Sequence, residues 1–203
     1  MPKYVLYYFN CEFRGEAPRM LFKLAGVDFE DRRIKTDDWP QWKDKFPLKQ
    51  IPVLEVDGVV LSQSKAILRY LAREFGFYGS TSLEGAFIDE VMDTAEDAWM
   101  PIKAIYAAEG EERKKLIESL KEDHLPRVYR KLETLLSLDR AGDFFIGNSI
   151  TAADLCVVTT IESMDIYLQC NTLEKPFPKL EALKGRVDAN PVIAKWLSER
   201  LTP

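Results

Sequence analysis

Gln50-Ile51-Pro52-Val53-Leu54-Glu55-Val56-Asp57-Gly58-Val59-Val60-Leu61-Ser62-Gln63-Ser64 is the stretch on which the fold reading turns. Pro52–Val56 and Val59–Leu61 are short apolar runs flanking Asp57-Gly58, and this dipeptide suits a tight hairpin because both central residues need positive φ. A helix is expected from Ser64 to Glu74, with Ala66, Ile67, Tyr70 and Leu71 on one face. Upstream, Tyr4–Phe9 is a β-branched and aromatic run that reads as a buried strand. Glu16–Leu24 reads as a helix closed by Gly26, and Phe29–Ile34 as a second strand before the polar loop Asp37-Asp38-Trp39-Pro40. The order is βαβ, then a hairpin, then a helix.

Behind the Gly-containing linker Phe75-Gly76-Phe77-Tyr78-Gly79-Ser80 the pattern becomes helical throughout. Leu83, Phe87, Val91, Ala95 and Trp99 recur every four residues along a first long helix. Glu112–Leu136 forms a second, with a bend expected at Pro126, whose nitrogen cannot donate. Thr151–Leu168 forms a third, and shorter helices follow at Lys179–Val187 and Pro191–Arg200. The third opens on a capping box, Thr151 with Asp154, bracketed by Ile150 and Leu155 at the positions of a hydrophobic staple. The fold class is α/β plus all-α, with domains expected at 1–78 and 82–203.

Composition narrows the chemistry. The chain has 203 residues, 46% hydrophobic and 30% charged, and a net charge of -5. These values suit a soluble globular protein and argue against nucleic-acid binding. No apolar run approaches the ~20 residues of a membrane helix, and the opening segment is too short for a signal-peptide core. The expectation is a cytoplasmic protein without a membrane partner. Cys11, Cys156 and Cys170 give neither a disulfide framework nor a Cys-x-x-Cys pair, and His124 is the only histidine. Zinc catalysis and a Ser-His-Asp triad therefore lack their residues.

Several motifs resemble the sigma class of cytosolic glutathione transferases, a family that includes haematopoietic prostaglandin D synthase and the cephalopod S-crystallins. They are the opening strand through Tyr7-Tyr8-Phe9-Asn10, Asp38-Trp39-Pro40, Gln50-Ile51-Pro52-Val53-Leu54, Asp57-Gly58, Leu61-Ser62-Gln63-Ser64 and Gly147-Asn148-Ser149. The resemblance implies an N-terminal thioredoxin-like domain followed by an all-helical domain. It also implies glutathione as cosubstrate, small hydrophobic electrophiles as acceptors, and a homodimer.

Strand alternation sends Tyr7 and Tyr8 to opposite faces, so one of them can meet a ligand. The resemblance selects Tyr8 as the catalytic residue and Arg14 as the arginine beside the sulfur. A free thiol has a pKa near ~8.5 and is mostly unreactive at neutral pH. A hydrogen bond to the charged sulfur contributes about 1.5–3 kcal/mol, enough to lower that pKa by roughly one to two units. The same resemblance assigns Ile51, ahead of a cis Pro52, to the cysteine backbone of glutathione. It assigns Gln63 and Ser64, at a helix start, to the γ-glutamyl end, Trp39 and Lys43 to the glycine end, and Gln50 to a further ligand-facing position. Read alone, Ser64 is equally a plain helix cap, and Asp89, Asp93, Glu96 and Asp97 are a solvated helix face. In the family, the residue matching Asp97 reaches the glutathione of the other subunit. Asp93 and Asp97 match a divalent-ion site of the prostaglandin D synthases, with Glu96 in place of Asp, but no metal is required for the transferase reading.

The chain departs from the pattern at Cys11-Glu12-Phe13, and the common Gly-Arg-Ala-Glu reads Phe13-Arg14-Gly15-Glu16. Cys11 is an alternative nucleophile of the kind used by a related branch, although there the cysteine replaces the tyrosine. Ala104 lies near the position of the large tryptophan of the prostaglandin synthase pocket, which weakens that specific role. An S-crystallin-like structural protein is the alternative from a different class.

Overall fold

The computed structural model describes residues 2–138, 142–174 and 176–200. Met1, 139–141, 175 and 201–203, which fall within the expected domain spans, lie outside the described residues. The chain divides into two units, one running through Tyr78 and taking in the chain from Asp188 onward, the other spanning Gly79–Val187.

The first unit begins with β1 (Tyr4–Phe9), α1 (Phe13–Ala25) and β2 (Glu30–Ile34). A short helix α2 (Trp39–Trp42) leads to β3 (Val53–Val56), β4 (Val59–Ser62) and α3 (Ser64–Phe75). The sheet order is β2-β1-β3-β4, with β1 parallel to β2 and antiparallel to β3, and β4 antiparallel to β3. This is the thioredoxin-like arrangement. Asp57 and Gly58 hold φ of 49° and 85°, the two positive values that the hairpin signal requires. Strand β1 is buried from Tyr4 to Tyr8, and Leu6, Val53 and Leu54 are fully enclosed.

Helix α1 starts at Phe13, earlier than the periodicity suggests, so Pro18 stands inside the helix rather than in its first turn. Its missing N–H removes the usual bond to the Arg14 carbonyl. Gly26 then ends the helix in the left-handed conformation, its N–H directed to the Lys23 and Phe22 carbonyls.

The second unit is helical, in agreement with its sequence pattern. It comprises α4 (Ser82–Glu96), α5 (Ile102–Ala107), α6 (Gly110–Ser119), α7 (Leu125–Leu136), α8 (Ala152–Leu168) and α9 (Pro178–Asp188), the last reaching one residue past the division. The expected long helix Glu112–Leu136 is interrupted by a π-helical turn, Leu120–His124, just ahead of Pro126. Proline cannot supply the ordinary bond four residues back, and the helix widens there instead of simply bending. Helix α8 is buried on almost every side, Ala152–Ile161 without a break.

The division into units differs from the expected boundary at 82–203, since α10 (Pro191–Glu199) groups with the first unit. Trp196 Nε1 and Arg200 Nη1 both donate to Glu16 Oε1 of α1, at 2.7 and 2.9 Å. Among the described residues no helix is long and apolar enough to cross a membrane.

Candidate active site

The two tyrosines of β1 differ in what their hydroxyls already hold. Tyr7 turns toward Trp42 and Phe46, with ring centroids 5.9 and 5.3 Å away. Its hydroxyl donates to Glu55 Oε2 at 3.1 Å and accepts from Arg32 Nη1 at 3.2 Å, so both of its roles are taken. Tyr8 lies on the other face, 7% exposed, its ring against Gly15 and 5.7 Å from the Arg19 guanidinium. The backbone N–H of Arg14 donates to the Tyr8 hydroxyl. That bond occupies an acceptor position and leaves the phenol hydrogen to be given to a ligand. Burial, with a smaller contribution from Cys11, pushes the Tyr8 phenol well above its ordinary value of 10.0, against the opposing Arg14 and Arg19. At neutral pH it is a hydrogen-bond donor and not a base.

Gly15 explains how the ring fits. A β-carbon there would lie 2.5 Å from Tyr8 Cδ1, so the alanine of the family pattern could not occupy this position without moving the ring. Phe13, two residues earlier, holds φ of 29° where the pattern has glycine, a conformation that strains a residue with a side chain.

Sequence reasoning missed Arg19. It is fully buried, and its Nη1 and Nη2 donate to the Cys11 and Phe9 carbonyls at 2.7 and 3.2 Å. These bonds pin both arms of the turn between Tyr8 and Arg14. Its charge is balanced by Glu16 Oε2 at 3.3 Å and Asp31 Oδ1 at 3.1 Å. The available signal was the spacing of Glu16 and Arg19, which is indistinguishable from a surface i,i+3 pair.

Arg14 Nη1 approaches Ser64 Oγ at 3.5 Å, bringing the starts of α1 and α3 together. Gln63, just before α3, has φ of 78° and no capping side-chain bond. The first intrahelical bond there runs from Ile67 N–H to the Gln63 carbonyl at 2.9 Å, so the first-turn N–H groups lie outside the helix's own ladder. Such a helix start suits a carboxylate. The Ile51-Pro52 bond is cis, and Ile51 lies beyond the β1–β3 ladder, which ends at Tyr7 opposite Val53. Trp39 is half-buried with its ring 5.5 Å from Phe9, while Lys43 and Gln50 are exposed.

Asp97 belongs to the second unit, in the turn after α4. Its Oδ2 accepts from Lys131 Nζ at 2.9 Å, and its carbonyl accepts the His124 Nε2–H at 2.7 Å. Among the described residues no group of three or more His, Cys, Asp or Glu is placed to hold a metal ion. Burial raises the Cys11 thiol to about 11, with Glu12 adding to the rise and Arg19 opposing it. The thiol stays protonated at neutral pH, which weighs against Cys11 as the nucleophile.

Residues 4–73 match the glutathione S-transferase N-terminal domain, and residues 96–200 match the glutathione S-transferase C-terminal domain. The chain belongs to the glutathione S-transferase family. It is 37% identical over 201 residues to hematopoietic prostaglandin D synthase of Gallus gallus, with 98% of each chain covered. It is 37% identical over 202 residues to S-crystallin SL11 of Nototodarus sloanii, again with 98% of each covered. The solved sigma class transferase of Fasciola hepatica superposes with a TM-score of 0.85 at 29% identity, covering 100% of this chain and 98% of that one. Membership therefore lies in the sigma-like part of the glutathione S-transferase family. Against that background Tyr8, Arg14 and Ser64 are joined by direct contacts, and Trp39 connects to them through Phe9, whose ring is 5.8 Å from that of Tyr8.

Proposed function

We propose that this protein is a cytoplasmic glutathione transferase that ionises the glutathione thiol at Tyr8 and joins the sulfur to small hydrophobic electrophiles. The observation that carries the reading is the Tyr8 hydroxyl, held by the Arg14 N–H and kept protonated by burial. A thiol placed against it loses its proton to solvent, because the O–H donates to the sulfur anion more strongly than to the neutral thiol. The nearby Arg14 charge acts in the same direction. Glutathione fits the rest of the unit. The starts of α1 and α3 receive its γ-glutamyl carboxylate near Gln63 and Ser64. Ile51 offers backbone groups to its cysteine, Trp39 and Lys43 hold its glycine end, and Gln50 takes a further ligand-facing position. With an aryl halide, the thiolate forms the S–C bond and halide leaves with its electron pair.

Purified protein should conjugate glutathione to a chlorodinitrobenzene well above the uncatalysed rate. Rates equal to the uncatalysed reaction across several electrophile types would leave the structural, crystallin-like reading in its place. Prostaglandin D isomerisation has less support, since Ala104 is a small exposed residue on α5.

The active form is a homodimer on this reading, with Asp97 reaching the partner's glutathione in exchange for Lys131. Sedimentation should give twice 23.4 kDa. Asp97→Ala should weaken glutathione binding by about 1.5–3 kcal/mol at most. A fully active monomer at assay concentration would rule this out.

A further inference from the structure

Glu12 stands at the N-cap of α1, yet its side chain caps nothing. It is only 4% exposed, and its Oε2 is buried with no hydrogen-bond partner. Among the described residues the other orphaned buried side-chain atoms are the Tyr167 hydroxyl and Arg186 Nε, both in the second unit. A carboxylate oxygen removed from water without a donor destabilises the ligand-free protein, so its persistence calls for a partner that arrives from outside. Its position indicates when that partner arrives. The Glu12 carbonyl accepts the Gly15 N–H at 3.1 Å, and Arg14, between them, donates its N–H to the Tyr8 hydroxyl. Glu12 is thus built into the same tight turn as the group assigned to the sulfur. That turn is fixed at both arms by Arg19, which leaves the Glu12 backbone little freedom to withdraw.

We propose that Glu12 is a specificity-determining residue for the acceptor, its carboxylate pairing with a protonated amine carried by the electrophile near its reactive carbon. The inference rests on the transferase reading for the position of the sulfur. An ammonium group supplies the missing donor and neutralises the charge together, and a charge-assisted bond in a buried setting is stronger than one to a neutral donor. A wholly apolar electrophile leaves Oε2 unsatisfied.

The test compares wild type with Glu12→Gln on two chloronitrobenzenes that differ only in an aminomethyl or an ethyl substituent. The ratio of kcat/KM for the ammonium acceptor over the ethyl acceptor should fall at least tenfold in the variant, since electronic differences between the acceptors cancel. The two glutathione conjugates give the same comparison by calorimetry without turnover, and their Kd ratio should shift alike. Glu12→Gln should also melt at or above the wild-type temperature, as replacing a buried carboxylate oxygen that lacks a donor predicts. Unshifted ratios, or a marked fall in melting temperature without a shift, would overturn the proposal in favour of a packing role. A loss of affinity for glutathione itself would overturn it too, by assigning the carboxylate to the tripeptide's own ammonium. Absent turnover with a shifted Kd ratio would refute the transferase reading while sustaining the role of Glu12. Turnover of both acceptors with an unshifted ratio would do the reverse.

Discussion

Tyr8→Phe is expected to keep glutathione bound while raising the pKa of its thiol by one unit or more. The contacts assigned to the tripeptide's two ends lie on Trp39, Lys43, Gln63 and Ser64, and none depends on the phenol oxygen. Only the bond that distinguishes thiolate from thiol is removed, which amounts to about 1.5–3 kcal/mol. The rate near pH 6.5 should therefore fall by roughly ten- to a hundredfold, at ~1.36 kcal/mol per factor of ten. The two proteins should converge as pH rises past the variant's thiol pKa, because the sulfur then ionises without help. Thiolate absorbance of the bound cosubstrate, titrated against pH, reads the shift directly. Tyr7→Phe serves as the control, since that hydroxyl is engaged with Glu55 and Arg32. A titration curve moved by Tyr7→Phe and not by Tyr8→Phe would reverse the assignment. Gly15→Ala should act in the same direction without touching the hydroxyl, because its β-carbon displaces the Tyr8 ring.

The largest loss of stability is expected in the second unit, at Asp154. Its Oδ1 accepts the Phe145 N–H at 3.0 Å, and its Oδ2 accepts the Thr151 N–H and O–H, both at 2.7 Å. The residue is fully buried, so Asp154→Ala strands these donors where water does not replace the lost acceptor. At about 1–3 kcal/mol for each unsatisfied group, and less than additively, the loss should be roughly 3–5 kcal/mol. That is a large part of the 5–15 kcal/mol typical of a domain. Urea unfolding should show the midpoint drop with little change in slope, and a midpoint within error of wild type would refute the account.

The same group gives a pH dependence of definite sign. Burial pushes the Asp154 carboxyl from 3.8 up to about 6, although its donors pull the other way. The folded state then holds this proton more tightly than the unfolded chain does. This contribution is most favourable below about pH 4 and is lost as pH rises through about 6. Asp154→Asn should abolish that component of the slope while leaving slopes elsewhere intact. An identical slope between pH 4 and 6 in both proteins would show that another group titrates there.

What the sequence determined by itself is local. Asp57-Gly58 marks the hairpin because the turn's two positive φ angles are a property of the dipeptide, and Thr151 with Asp154 marks a helix start within four residues. Alternation along Tyr4–Phe9 separates Tyr7 from Tyr8, since successive strand side chains point to opposite faces. The roles proposed for the site residues come from family likeness, which is carried by short motifs on the same scale. The tertiary structure alone decided which charged residues are buried. Glu16 and Arg19 look like one more exposed pair until α10 returns 180 residues later and sets Trp196 on the Glu16 carboxylate. The transfer of α10 to the first unit has the same origin. Both depend on contacts between segments distant in the chain, and hydrophobic period and turn chemistry hold no record of them because they act only between near neighbours.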